Sequence, residues 1–303
     1  DDLQITTTGH DFRNRPLALT GDTSASAALA SRMAAQIFSR YPDAWPETIR
    51  ALMVQFADWT PAMLNNRSKW SLIEAEKREL LRQVGYGVPN LNKAIEGART
   101  SVTLIYQDEL QPFRLVQGGD VKTMQFNRHD LPWPKRELEA LMNTEVTLHV
   151  TLSYFIEPNP GPRDVSDKYR YASAGLRFDL QRAAETPVAF ARRTSRDIEV
   201  PSTESSIAAS DTGSWLIGRT KHRGSIHRDS WRGRAIDLAA RSAIHVFPVT
   251  GWWRYRKHLN RTDDRIRYAL IVSIETPPET PEIHSLIGQQ IQVPTEIPTL
   301  VSN

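Results

Sequence analysis

Thr20-Gly21-Asp22-Thr23-Ser24-Ala25-Ser26-Ala27-Ala28-Leu29-Ala30 is the stretch from which the fold is read. A tight loop at Gly21-Asp22 gives way to a run of small side chains. From Ser24 to Phe38, the residues Ala27, Ala28, Ala30, Met33, Ala34 and Ile37 cover most of a helix circumference. A helix so poor in large polar groups is expected to be buried inside a domain. Ser24 stands at its head. There the first backbone N–H groups lack partners within the helix and the macrodipole is positive. Such a place suits a nucleophile whose tetrahedral intermediate carries an oxyanion. By position alone, Ser24 reads equally as a cap, the commoner role of serine at a helix start.

Working outward, the segment YPDAWPETIRALMVQFADWT places Pro46 at a first helical position and Glu47 in the first turn. Ile49, Leu52, Met53 and Phe56 follow at helical spacing. The pattern predicts a third, amphipathic helix over Ser71 to Arg82, a turn at Gly85-Tyr86-Gly87 and a short helix from Leu91 to Gly97. Three of these pieces, taken in order, resemble the subtilase family. Thr23-Ser24-Ala25-Ser26-Ala27 is similar to its serine motif, Gly-Thr-Ser-x-Ala/Ser-x-Pro. Trp45-Pro46 with Ile49-Arg50-Ala51-Leu52 looks like its second C-terminal helix. Gly85-Tyr86-Gly87-Val88-Pro89-Asn90, followed by Leu91 to Ala94, looks like its closing Gly-x-Gly-x-x-Asn segment. Asp22 stands where the family has Gly, and Ala28 where it has Pro.

The resemblance spans residues 1–98. It implies the C-terminal, mainly helical part of an α/β subtilisin-like peptidase domain, with Ser24 as the nucleophile of a serine endopeptidase and its own N–H in the oxyanion hole. Subtilases use a Ser-His-Asp triad in the chain order Asp, His, Ser. The resemblance therefore puts the Asp, the His and the oxyanion Asn upstream of Ser24, where only 23 residues precede it. His10 and Asp11 are the sole upstream pair, and His10 does not match the family's His motif. The triad partners are expected on an N-terminal half of the same peptidase, missing here or on a separate chain, and this chain alone is expected not to hydrolyse peptides. The competing expectation is an inactive, subtilase-derived interaction module that binds a protein or, less readily, a nucleic acid.

Beyond Arg99 the pattern changes. Val146, Leu148, Val150, Leu152, Tyr154 and Ile156 alternate strictly between Thr144 and Ile156, the signature of a strand with one buried face. Further strands are predicted at Ser101–Tyr106, Tyr171–Leu180, Ala243–Val249 and Arg267–Ile274, separated by turns such as Glu157-Pro158-Asn159-Pro160-Gly161. Many strands and few helices predict an antiparallel β-sandwich or jelly-roll accessory domain over 99–276. Gln181 to Gly213 reads as a helix fragment with a loop, and 277–303 as a Pro-rich extended tail.

Composition sets the remaining bounds. With 40% hydrophobic and 24% charged residues the chain is ordinary for a globular protein. No apolar run approaches the roughly 20 residues of a membrane span, and DDLQITTTGH lacks a signal-peptide pattern; a cytoplasmic location is the expectation. The absence of cysteine excludes disulfides and thiol nucleophiles. Between Arg219 and Arg267 there are 13 Lys/Arg against 4 acids in a chain of net charge +3. Those cations are interleaved with Trp231, Trp252, Trp253 and Tyr255. The arrangement is open to an acidic protein partner, to nucleic acid or to an ordinary surface whose arginines pair with acids on other strands. The eight histidines form no metal motif, His222 and His227 being five apart, and structural or surface roles are expected for them. Asp120 and Asp130 are placed in loops, and no cofactor is implied.

Overall fold

In the computed structural model, residues 4–100, 102–160, 171–199, 212–218, 224–276 and 297–300 are described. The chain divides into two compact units, Asp1–Ala44 and Trp45–Asn303.

The first unit is a hairpin and a helix. Strands β1 (Ile5–Thr8) and β2 (Leu17–Thr20) pair antiparallel, with Ile5 opposite Thr20 and Thr8 opposite Leu17. Their loop closes through Gly9 N–H donating to Pro16 O at 2.9 Å, and a Cβ at Gly9 would lie 2.2 Å from Arg15 O. Helix α1 (Asp22–Arg40) follows directly. The helix is present, but the burial expected of it is not: only Ala25 and Ile37 are buried, while Leu29 and Phe38 are about half exposed. Alanine is the best helix former whether or not it is covered, so an Ala-rich run specifies the helix and leaves its burial undetermined.

The second unit opens with α2 (Pro46–Gln55), α3 (Glu74–Val84) and α4 (Leu91–Thr100). Pro46 does occupy the first helical turn, and Trp45 the extended cap position. Glu76 Oε2 accepts from Ile73 N–H at 2.9 Å and satisfies one free donor at the start of α3. The chain continues with β3 (Val102–Leu110), β4 (Phe113–Leu115), β5 (Val121–Thr123), β6 (Gln125–Asp130), α5 (Lys135–Ala140) and β7 (Glu145–Tyr154). Next come β8 (Gly175–Leu180), α6 (Pro187–Glu199), β9 (Ile226–Arg234) and α7 (Ala235–Ala239). The last elements are β10 (Ala243–Val249), α8 (Trp252–Tyr255), β11 (Ile266–Glu275) and β12 (Ile297–Leu300).

Two four-stranded antiparallel sheets result, ordered β3-β11-β7-β9 and β12-β6-β10-β8. Their apolar faces contribute to one hydrophobic cluster, in which Leu148, Val150 and Leu152 of β7 meet Leu176 and Phe178 of β8, Ile244 and Val246 of β10, and Leu270 and Val272 of β11. The mixed α/β chain thus carries antiparallel sheets where the sequence predicts strands. Strand β7 departs from its pattern in one respect. Its polar face, His149, Thr151 and Ser153, is buried too, because α2 packs across β7 and β11. Gln55 of α2 makes that covering possible: it donates to Ser273 Oγ at 2.8 Å and His149 O at 3.2 Å, and accepts from Thr151 Oγ1 at 2.5 Å. Buried polar groups are tolerated when paired in this way.

Asp120 does lie in a turn, but Asp130 ends β6 opposite Ala243 and pairs with Arg128 at 2.7 Å. Of the tail, only 297–300 is described, as β12 on the edge of β6. No helix among the described residues is long and apolar enough to cross a membrane.

Candidate active site

Ser24 sits in the first turn of α1, third from its start, and is exposed. It is not the cap. Gly21 holds that position, with no side-chain cap hydrogen bond. Among the described residues nothing hydrogen-bonds the Ser24 hydroxyl; Ser26 Oγ, two residues on, donates back to Asp22 O at 3.4 Å. The exposed hydroxyl therefore stands beside N–H donors that lack partners within the helix, at the positive end of a 19-residue helix.

The loop that presents Ser24 has one unusual backbone. Asp22 adopts φ +62°, the left-handed region that favours glycine. The family pattern's Gly at this place thus has a physical reason here, and Asp is among the few side chains that tolerate the conformation. His10 lies exposed in the β1–β2 loop, next to a turn in which Asp11 O accepts from Arg15 N–H at 2.7 Å. Asp11 is occupied by Asn14, whose Nδ2 donates at 3.1 Å. No hydrogen bond among the described residues joins His10, Asp11 and Ser24.

The basic region is mostly structural. Arg219, Lys221, His222 and Arg223 fall outside the described residues. Trp231, Trp252 and Trp253 are buried in the shared core, leaving Tyr255 as the exposed aromatic of the group. Arg232 pairs with Glu145 across the β7–β9 ladder, and Arg234 with Asp237 at 2.7 Å. Arg261 bridges Glu157 at 2.6 Å and Asp264 at 2.7 Å. Surface ion pairs of this kind stabilise little individually.

Four histidines are buried side chains rather than surface ones. His245 Nδ1 meets Thr194 Oγ1 at 2.8 Å and its ring stacks on Phe190 at 3.7 Å. His129 Nε2 meets Tyr268 Oη at 2.7 Å, and His227 stacks on Tyr154. His149 bridges Ser230 and Glu275 at 2.8 and 3.0 Å, a three-residue connection that no local sequence pattern reveals. No group of three or more potential metal ligands occurs among the described residues.

Residues 1–87 match the subtilase family, peptidase S8. That match contains both Ser24 and the Gly85-Tyr86-Gly87 turn, so the resemblance carried by those motifs holds for this segment. The chain is also similar to the uncharacterized protein y4bN of Sinorhizobium fredii, 29% identical over 199 residues, which are 65% of this chain and 40% of that protein. The chain spans two fifths of that relative's length. No solved structure matches.

Proposed function

We propose that this chain carries the nucleophile-bearing part of a subtilase-type serine endopeptidase, in which Ser24 attacks the scissile carbonyl of a peptide or protein substrate. The observation that carries the reading is the exposed Ser24 hydroxyl in the uncapped first turn of α1, inside the segment that matches the family. In the reaction, Ser24 Oγ bonds to the carbonyl carbon while a histidine takes its proton. The N–H groups of the α1 start, that of Ser24 among them, hold the oxyanion, and the amine leaves with the proton. The histidine and its orienting aspartate belong to polypeptide that completes the domain; the family pattern does not assign that role to His10. Exposure of Leu17, Leu19, Leu29 and Phe38 in the first unit fits a surface built to be covered by such a polypeptide.

The β-rich remainder is read as a β-sandwich accessory domain that positions substrate or binds a partner, an acidic protein being the chemistry that suits its exposed arginines. The second reading is an interaction module that kept the fold and lost the chemistry. It is favoured by Asp22 in the left-handed place where the peptidases carry Gly.

A fluorophosphonate probe tests the proposal on the complete gene product. A phosphonyl adduct mapped to Ser24, lost when the upstream histidine is replaced, is the expected result. A complete, folded product that never labels at Ser24 overturns the peptidase reading in favour of the module.

A further inference from the structure

The β4–β5 hairpin carries two cations side by side. Its register sets Phe113 opposite Thr123, Arg114 opposite Lys122 and Leu115 opposite Val121. Opposed residues share a face and successive ones alternate. Phe113 and Val121 turn into the core, so Arg114 and Lys122 lie together on the other face. Lys122 is exposed; Arg114 is half-buried, with its Nε shielded and without a hydrogen-bond partner. Like charges directly opposite each other weaken a strand pair, and the hairpin is less stable for carrying this one.

The helix next to β5 adds further cations. Helix α8 contacts β5, and just beyond it Lys257 Nζ donates to Gly119 O in the hairpin turn. The stretch Arg254-Tyr255-Arg256-Lys257 is thereby fastened to the hairpin tip, with Tyr255 and Lys257 exposed. Arg254 donates to the Thr250 hydroxyl at 3.4 Å. Among the described residues no carboxylate pairs with Arg114, Lys122, Arg254, Arg256 or Lys257. Nearby acids do not answer them: Arg261 holds Glu157 and Asp264 at 2.6 and 2.7 Å, and Asp120, in the turn itself, makes no ion pair. Other surface cations of this unit do find partners, as Arg67 does in Glu76 and Arg234 in Asp237.

Cations grouped in this way repel one another until anions cover them. Each exposed pair formed with a partner contributes little, but several together steer an oppositely charged surface and fix its register. Closely spaced carboxylates match neighbouring side chains on a strand pair. Single-stranded nucleic acid fits less well, because it calls for successive stacking aromatics. Trp231, Trp252 and Trp253 are in the core, which leaves Tyr255 for that role.

We propose that Arg114, Lys122 and Lys257, with Arg254 and Arg256 beside them, form the docking surface for a protein segment rich in carboxylates. The proposal rests on the reading of the β-rich region as a partner-binding one and gives the partner a place on it. It requires no chemistry at Ser24.

The test is fluorescein-labelled octaglutamate, followed by anisotropy with the full chain at low and at physiological salt. Saturable binding that weakens with salt is expected. Lys122→Glu should lower the affinity on the order of 10-fold, while Lys135→Glu, the same change at an exposed position of α5, should leave it unchanged. Lys122→Glu also sets opposite charges across the strands, so its urea midpoint should rise slightly, and the lost binding is then not a loss of fold. No binding by the parent, or an equal loss in both variants, overturns this surface. An oligothymidylate of the same length that binds more tightly than octaglutamate, and is weakened by Lys122→Glu, overturns the acidic occupant. Labelling of Ser24 without octaglutamate binding would leave the peptidase reading standing, and binding without labelling would leave the surface standing, so the two fail separately.

Discussion

The Tyr86 hydroxyl accepts a hydrogen bond from the backbone N–H of Arg228, 142 residues further along the chain, at 3.1 Å. It also donates to Ile226 O at 3.3 Å. Strand β9 is the outer strand of its sheet, so these backbone groups have no strand to pair with on that side. The turn after α3 supplies the substitute. Gly85 and Gly87 take φ of +56° and +94°, and a Cβ on Gly87 would lie 2.1 Å from Asp58 O. The closing motif of the subtilase-like segment is thereby built into the edge of the β-rich unit.

Tyr86→Phe keeps the ring and removes this edge pairing. Burial already pushes the Tyr86 hydroxyl's pKa up, a sign that water does not replace the lost partner readily. A loss of about 1–3 kcal/mol is expected in urea unfolding, with the slope on denaturant unchanged. A variant as stable as the parent would show that the edge N–H finds another acceptor.

How much of this was legible in the sequence depends on which atoms do the work. Strand β10 has the bounds the pattern predicts, Ala243–Val249, and β7 differs by two residues at most at either end, because apolar side chains line their core faces. Strand β9 reads as a charged stretch. Its core-facing residues are His227, Asp229 and Trp231, and Asp229 is buried because its carboxylate accepts from the N–H groups of Ile217 and Gly218 at 2.8 and 3.0 Å. No hydropathy period can announce a strand whose inward carboxylate is satisfied by a distant loop. The same limit hides His149: its partners are 81 and 126 residues away, and only strand register unites them. The start of the helix that carries Ser24 was legible because a helix start is local. The exposure of the helix behind it was not.

Asp22→Gly tests the loop before that helix. The left-handed conformation at φ +62° is strained for a side chain, while glycine adopts it freely at the expense of a floppier unfolded chain. The two effects leave a net gain of about 0.5–1 kcal/mol for the folded first unit. Amide exchange in α1 should slow several-fold in Asp22→Gly and quicken in Asp22→Val, whose branched side chain fits this region worst. Equal exchange in all three proteins would mean that the loop is not held at this angle in solution.

Arg193 is the clamp between α6 and β8. Its Nε and Nη2 each lie 2.8 Å from a different Glu185 oxygen, Nη1 pairs with Asp179, and Nη2 also donates to Leu180 O at 3.2 Å. The guanidinium is buried, and Arg193 in turn draws the Glu185 pKa down. Arg193→Met strands two carboxylates, and about 3–5 kcal/mol of stability should be lost. Arg193→Lys retains the charge without the planar fork and should recover only part of it. Adding Glu185→Leu to Arg193→Met should restore stability relative to the single variant, since the uncompensated buried charge is what destabilises it. A double variant worse than the single would contradict that cause.

The acid response follows from the buried histidines. Burial holds His129 and His245 down at about 3, against an ordinary 6.5, with the Arg128 and Arg193 charges adding to the effect at His245. Both rings are neutral in the folded protein and take up protons on unfolding, so the unfolded state binds more protons below pH 6.5. Stability is therefore constant with respect to these groups above pH 6.5 and falls as pH drops from there towards 3. Each histidine contributes a slope of about 1.4 kcal/mol per pH unit well below 6.5, so the pair removes roughly 3–4 kcal/mol between pH 7 and pH 5. Paired carboxylates such as Glu275, held at about 2, begin to contribute only at lower pH. Urea titrations at pH 7 and pH 5 give the difference directly, and His245→Gln should shrink it by less than half, because one of the proton uptakes is gone while His129 and His149, both held below the ordinary range by burial, still contribute. An unchanged difference in that variant would place the acid sensitivity elsewhere in the fold.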